Sequence, residues 1–506
     1  EAAAQTQTSE IADLLAAGDY VEGEALVVVD NAASRNSLRS RSVDPLSSAE
    51  PLMDASAETY ATATGVDVPL EQSVSNGPVL LRSARSLPED DAVSMVLVRQ
   101  EGTSTEDLLR QLQDDPRILS AEPNYVQRLD DPDQTALDES TPQVAAALGL
   151  DSSDAAPSAP ASADASGTAA ADLSGYQWGC RNTGEVMVQE EAPPLAGFDI
   201  APPNWNQVGT TNAADVVAVV DTGVDYNHPD LNGIMCDMTQ YTDRGGRYGI
   251  NVVPGMDPTD PMDDHYHGTH CAGIIASQWD GVGTSGVASG VQLVAVRVAG
   301  RQNTIESADT IRAYEYLAEA VDAGLPLRAI NNSWAGRTMS KAFSLAATKL
   351  GEKGAVTVIG SGNDAADVDK IPMTASVLAH NPYAVAVDAS DSSGQLASFS
   401  NYGVETTDVV APGMNIMSTV PLGRAAYAPE ADGSPLSYET FESDAPSVTA
   451  RATPTSSEDI DAVVQGATHF DARGGALKIP FSEMLTEETA LGISFRSVVV
   501  SMEVDP

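Results

Sequence analysis

Residues 216–231 read VVAVVDTGVDYNHPDL. The first five form an unbroken apolar run, the pattern of a β-strand covered on both faces. Asp221-Thr222-Gly223 follows directly, which puts a carboxylate at the carboxyl end of that strand. Similar runs recur at 292–298, 329–332, 355–359 and 384–387, with helical stretches near 270–277, 306–323 and 340–353 between them. Strands alternating with helices predict an α/β fold, a parallel sheet flanked by helices on both faces. Such a sheet binds ligands in the crevice at the carboxyl ends of its strands.

Two more segments carry chemistry. His267-Gly268-Thr269-His270-Cys271-Ala272-Gly273 opens a helix whose small residues allow close packing on the sheet. Gly360-Ser361-Gly362-Asn363-Asp364 follows the run at 355–359 and sets an amide on a tight turn at another strand end. Taken singly, each signal has a plainer reading. Asp-Thr-Gly also suits an aspartic protease or a P-type ATPase, an Asn on a glycine turn is usually just a turn residue, and a histidine pair is more often structural or metal-binding. Acyl transfer needs a base held in one tautomer by a carboxylate and a donor aimed at the developing oxyanion. Asp221, His267 and Asn363 supply those parts in order along one α/β pattern.

On these segments, together with 399–421 (FSNYGVETTDVVAPGMNIMSTVP), the chain resembles the subtilisin-like serine proteases, or subtilases, over about 200–421. The resemblance implies that Asp221 orients the histidine, that His267 is the general base and that Asn363 donates to the oxyanion. It implies a peptide-binding strand at Ser333, Trp334, Ala335 and Gly336, where an exposed edge would take an extended polypeptide by β-augmentation. Cys271 in the HGTHCAG form resembles the proteinase K branch. The stretch 280–288 (DGVGTSGVA) is similar to the calcium loop of the family, with Asp280 as candidate ligand; no cofactor is required, and a structural calcium ion is the one metal implied.

The chain ahead of this region gives strands at 23–29 (GEALVVV) and 92–98 (AVSMVLV), separated by a polar loop. A helix follows at 104–112 with its hydroxyl cap and acidic first turn, then a short strand at 118–121. This α+β unit, 15–129, resembles the inhibitory propeptide of subtilases, which would make it a partner in cis. Residues 130–175 form an acidic Ala/Ser/Pro linker that buries too little apolar area to order itself and is exposed to nicking. The incomplete catalytic region is expected at 176–421. A β-rich insertion or accessory segment follows at 422–506, with strands at 448–452, 476–479 and 494–504.

Family members carry the nucleophile in Gly-Thr-Ser-Met-Ala-x-Pro after the Ala-Pro-Gly stretch, here Ala411-Pro412-Gly413. No such motif occurs from Met414 to Pro506. The expectation is a chain ending before its serine, inactive alone; the alternative is a pseudoprotease that binds peptides or inhibits. A surface adhesin is the third class, and the sorting or repeat features it needs are not in the sequence. The charge is -47, from 73 acidic and 26 basic residues, which repels nucleic acid and anionic membrane; polypeptides are the substrate class that the resemblance implies. No apolar run approaches the roughly 18 residues of a membrane span. The start at Glu1 suits a trimmed chain as well as a protein exported after signal removal; the expectation is a secreted or cell-surface protein. Cys180, Cys236 and Cys271 are too few for a disulfide framework; three buried thiols is the preferred reading, with one Cys180–Cys236 bridge as the alternative.

Overall fold

The computed structural model describes residues 11–31, 46, 49–64, 92–129, 174, 177–184, 194–200, 215–421 (with breaks at 282, 289, 301–302, 337–339, 372–373 and 380) and 493–494. Two sheets organise it. The first is antiparallel, built from β1 (Tyr20–Asp30), β2 (Glu50–Ala55), β3 (Val93–Arg99) and β4 (Ile118–Arg128) in the order β2-β3-β1-β4. Its helices are α1 (Ala57–Thr64) and α2 (Thr105–Gln113). Ser104 caps α2 by accepting the Asp107 amide, and Glu106 and Asp107 occupy the first turn, where the helix dipole favours negative charge.

Period-two alternation sorts the apolar residues of this sheet. Ala25, Val27, Val29, Val96 and Val98 meet Leu108, Leu109 and Leu112 of α2. Burying each of those leucines contributes about 1.5–3 kcal/mol. Leu26, Val28, Val93, Met95 and Leu97 face the other way, into a core shared with Tyr314, Phe343 and Leu345 of the larger part.

The second sheet has seven strands, every pairing parallel. In chain order these are β5 (Val216–Asp221), β6 (Gly249–Asn251), β7 (Gln292–Arg297), β9 (Leu327–Asn332), β10 (Val356–Gly360), β11 (Ala384–Ser390) and β12 (Val409–Pro412). The spatial order is β12-β11-β10-β9-β5-β7-β6. The chain builds β6 and β7 to one side of β5, then crosses to β9 on the other, so the strand order reverses beside β5. Between these strands run α3 (Pro229–Asn232), α4 (His267–Ala276), α5 (Ser307–Asp322), α6 (Lys341–Glu352) and α7 (Thr374–Leu378). Both faces are covered. Val219 packs with Cys271, Ala272 and Ala276 of α4, while Val216, Ala218 and Val220 join the core of α5 and α6. The α/β class is as expected.

A three-residue strand, β8 (Thr304–Glu306), links the two sheets. It pairs antiparallel with the end of β4, Val126 opposite Glu306 and Arg128 opposite Thr304. Helix caps also cross the boundary. The buried Glu122 carboxylate accepts the Ser340 hydroxyl at 2.7 Å and the Lys341 and Ala342 amides at 2.9 and 3.2 Å, at the start of α6. Asn124 Oδ1 accepts the Ala308 amide at 3.0 Å, at the start of α5. The orphan amides of two helices are thus satisfied from a strand some 180–220 residues earlier.

Three expectations need correction. The segment between β1 and β3 is not all loop: β2 and α1 lie in it. The short strand at 118–121 runs on to Arg128 through Pro123. Ser333 to Gly336, expected as a strand, follow β9 without continuing it. Cys180, Cys236 and Cys271 are buried free thiols. The linker at 130–175 and the segment at 422–506 lie outside the described residues except for Ser174 and the strand β14 (Ile493–Ser494), which pairs with β13 (Ser418–Thr419). Among the described residues no helix is long and apolar enough to cross a membrane.

Candidate active site

Asp221 ends β5 and is fully buried. Its Oδ1 accepts the Thr222 amide at 2.7 Å and lies 2.8 Å from Nδ1 of His267, the first residue of α4. Local sequence explains why the histidine sits there. The Gly268 amide donates to the Thr222 hydroxyl at 2.9 Å. A β-carbon on Gly268 would fall 2.0 Å from the Gly223 carbonyl oxygen, so only glycine lets α4 start this close to the end of β5. Thr269 fastens the next position: its amide and hydroxyl donate to buried Asp263 at 3.0 and 2.6 Å, and its hydroxyl accepts the Asp225 amide at 2.9 Å. Gly223 takes φ +109°, a turn that other residues strain to adopt.

Burial is the largest single influence on His267 and opposes its charged form, but Asp221 and Cys271 together outweigh it and raise the imidazole well above its ordinary range. Cys271 follows one turn later on α4, its Sγ 4.0 Å from His267 Nδ1. His267 Nδ1 is engaged by Asp221, which leaves Nε2 on a partly exposed ring to exchange a proton with a reacting group. Burial raises the Cys180 thiol to about 12 and the Cys236 thiol to about 11, so neither is a ready nucleophile.

Asn363 is exposed on the turn after β10, on the same edge of the sheet as Asp221. The turn is held by Asn401, a fully buried residue. Asn401 Oδ1 accepts the Asp364 and Ala366 amides at 2.9 Å each, and its Nδ2 donates to the Ser361 carbonyl at 3.0 Å. A side chain on Gly362 would strike that Nδ2 at 2.4 Å. Sequence reasoning quoted the segment around Asn401 without giving the residue a task. A buried amide between a hydroxyl and an aromatic was the signal available.

Of the four residues expected to bind substrate, Ser333 through Gly336 follow β9 directly. Trp334 is 4% exposed and donates from Nε1 to the Val220 carbonyl at 2.9 Å, with Phe343 at 5.7 Å between ring centres. Its side chain is core, and the backbone and Gly336 form the accessible part. Gly336 faces Gln127 of β4, whose Cγ would lie 3.1 Å from a β-carbon there. The Leu129 amide donates to the Asn303 carbonyl at 2.9 Å. The last residues of β4 therefore lie along β8 and against Gly336.

The subtilase family profile matches residues 213–457. The chain is 34% identical over 242 residues to the thermophilic serine proteinase of Bacillus sp. (strain AK1), covering 46% of this chain and 53% of that protein. It is 34% identical over 234 residues to subtilisin NAT of Bacillus subtilis subsp. natto, 46% of this chain and 55% of that one. Against subtilisin of Bacillus pumilus it is 33% identical over 234 residues, 46% of this chain and 77% of the relative. The chain belongs to the subtilase family. It spans about half the length of the first two relatives.

As a subtilase, the chain has a second polar centre beside the first. Asp230, buried in α3, accepts the Thr284 amide at 2.9 Å and the Thr284 hydroxyl at 3.2 Å through Oδ2. Gly283, at φ +64°, lies so close that a β-carbon would sit 2.3 Å from that oxygen. Burial pushes Asp230 up to about 7; the Thr284 amide opposes this and the charge of exposed Asp280 adds to it. A buried carboxylate whose charging is opposed in part by a neighbouring carboxylate is a candidate oxygen ligand for a hard divalent cation. Sequence reasoning named Asp280 and missed Asp230, although it stands inside the first stretch quoted above.

Proposed function

We propose that this subtilase is the inhibitor-bearing part of a serine endopeptidase precursor that hydrolyses peptide bonds. The observation that carries the reading is the 2.8 Å contact of Asp221 with His267 Nδ1 beside the point where the strand order reverses. In this reading Asp221 holds the ring so that Nε2 takes the proton of an attacking serine hydroxyl and returns it to the leaving amine. Asn363 donates to the oxyanion, and the backbone of Ser333, Trp334, Ala335 and Gly336 pairs with an extended polypeptide. The serine itself is not assigned to a position.

The N-terminal α+β unit is proposed as the inhibitor in cis, because β4 runs along β8 and against Gly336, where a peptide substrate would lie. Domain limits follow the sequence reading: inhibitor 15–129, linker 130–175, catalytic region 176–421 and a further segment 422–506. Calcium, if bound, is held by Asp230 and Asp280 and supports the loop after α4; no catalytic step depends on it. Export belongs to the same proposal, since a precursor blocked by its own strand suits release outside the cell that makes it.

A second reading is peptide binding without hydrolysis, through the backbone of Ser333, Trp334, Ala335 and Gly336. Fluorophosphonate labelling of the naturally expressed protein, with intact mass in parallel, separates the two. A labelled serine whose reaction is abolished by His267→Ala supports the protease; an unlabelled protein that retains peptide affinity supports the binder.

A further inference from the structure

The N-terminal unit touches the catalytic part at more than the cleft. Helix α1 leaves β2 and packs along α6. Thr59 is 3% exposed and Tyr60 7% exposed. Tyr60, with Ala63 beside it, belongs to the shared core that contains Ala342, Leu345 and Ala346 of α6. The Thr59 hydroxyl donates to Glu352 Oε2 at 2.6 Å, at the last residue of α6. Ser56 stabilises the start of α1 by accepting the Thr59 amide at 3.0 Å. At eight residues α1 is too short to hold together alone in water, so the packing on α6 is what keeps it helical.

The other end of α6 is held by Glu122. Residues 341 and 352 are separated by about 16 Å along a helix axis at 1.5 Å per residue. One contact comes from β4, which continues into the cleft; the other comes from α1, which does not. We propose that α1 is a second anchor for the N-terminal unit, one that keeps it docked on α6 after the end of β4 has left the groove at Gly336. This rests on the reading of that unit as a cis inhibitor. Two contacts on one folded unit act in series. While α1 stays bound, the end of β4 remains at high effective concentration near the groove and returns to it. Loss of inhibition then requires undocking of α1, together with the apolar sheet face and the Glu50–Arg312 pair, as well as opening at the cleft. A short helix suffices here because Thr59 and Tyr60 are both largely withdrawn from water against α6, although Glu352 itself stays exposed.

The experiment uses the full chain, nicked by brief elastase treatment between residues 130 and 175, with the half-life of the two-piece complex followed by native mass spectrometry. Thr59→Val, which keeps shape and removes the donor, and Glu352→Gln, which keeps the acceptor and removes its charge, are each expected to shorten that half-life at least fivefold. Amide exchange at Leu129 in the intact chain, which reports the cleft contact with Asn303, is expected to stay unchanged. An unchanged half-life in both variants, with unchanged circular dichroism, overturns the proposal. So does parallel opening of the Leu129 amide, which would make α1 part of the cleft contact. Neither readout involves a nucleophile, so failure of the protease reading in the labelling experiment leaves this result standing.

Discussion

Gln127 lies against Gly336, its Cγ 3.1 Å from where a β-carbon on that glycine would stand. The contact joins the final turns of the N-terminal sheet to the segment that follows β9, and it leaves no spare room. Gly336→Val is expected to push β4 away from β8. Amide exchange at Leu129 should rise at least tenfold, while exchange in α2 stays slow. Unchanged protection at Leu129 would show that the groove tolerates a side chain and that Gly336 does not set its depth.

If the Asp221–His267 pair works as proposed, the two substitutions differ in kind. His267→Ala removes the base, and Asp221→Asn leaves a hydrogen-bonding side chain that favours the wrong tautomer. Asp221→Asn is expected to reduce kcat on the order of 10⁴-fold and His267→Ala on the order of 10⁶-fold, with KM nearly unchanged. The measurement is peptide hydrolysis by the matured protein. A change confined to KM would move both residues from chemistry to binding.

The boundary between the two parts is rich in carboxylates. Glu50 receives Arg312 at 2.7 Å and also pairs with Arg99, Arg99 reaches Glu24 at 2.6 Å, and Arg312 bonds Asp309. Burial pushes Asp309 up to about 7; Arg312 opposes this, and Glu306 and Glu50 add to it. Burial also raises Glu122, against its Ser340 and α6 amide bonds and the Lys341 charge. A carboxyl whose pKa rises on docking takes up a proton on docking, so the docked state is favoured in acid and weakens as pH climbs through about 7. Release of the N-terminal unit from nicked protein should therefore speed up from pH 5.5 to pH 8.5. Asp309→Asn should flatten that dependence; a profile identical to the parent would exclude Asp309 as the group.

Calcium bound between Asp230 and Asp280 would stabilise the folded form by mass action. At 100 times its Kd the gain is about 2.7 kcal/mol, or roughly 5–10 °C in Tm for a part of this size. Chelation is expected to lower Tm by that amount, and Asp230→Asn should abolish the response. Equal melting with and without chelator would dispose of the ion.

The parallel sheet was legible because its strands are continuous apolar runs. Asp221 and His267 were legible because each sits at the end of such a run or the head of a helix. The stretch 50–64 was not. EPLMDA mixes Pro51 and Asp54 into a strand whose partners lie 38 to 47 residues on, and α1 depends on α6, roughly 280 residues away. Pro123 suggested a terminus, yet β4 passes through it beside an irregularity in the β1 register between Tyr20 and Ala25, where a missing amide is tolerated. The direction of the Trp334 side chain was not legible either, for a related reason. Its neighbours mark a binding segment, while the indole points inward to a carbonyl of β5, a contact no local pattern announces.

The strand β8 is only three residues long, yet it gives the N-terminal sheet its fifth member. Docked, β4 and β8 satisfy each other's main chain. Parted, each shows a row of bare amides and carbonyls, and on β4 that row is backed by an apolar sheet face also stripped of its cover. Such an edge pairs readily with any extended chain it meets. The detached unit would thus be a short-lived, sticky species, so clearing it promptly matters as much to the organism as setting it free.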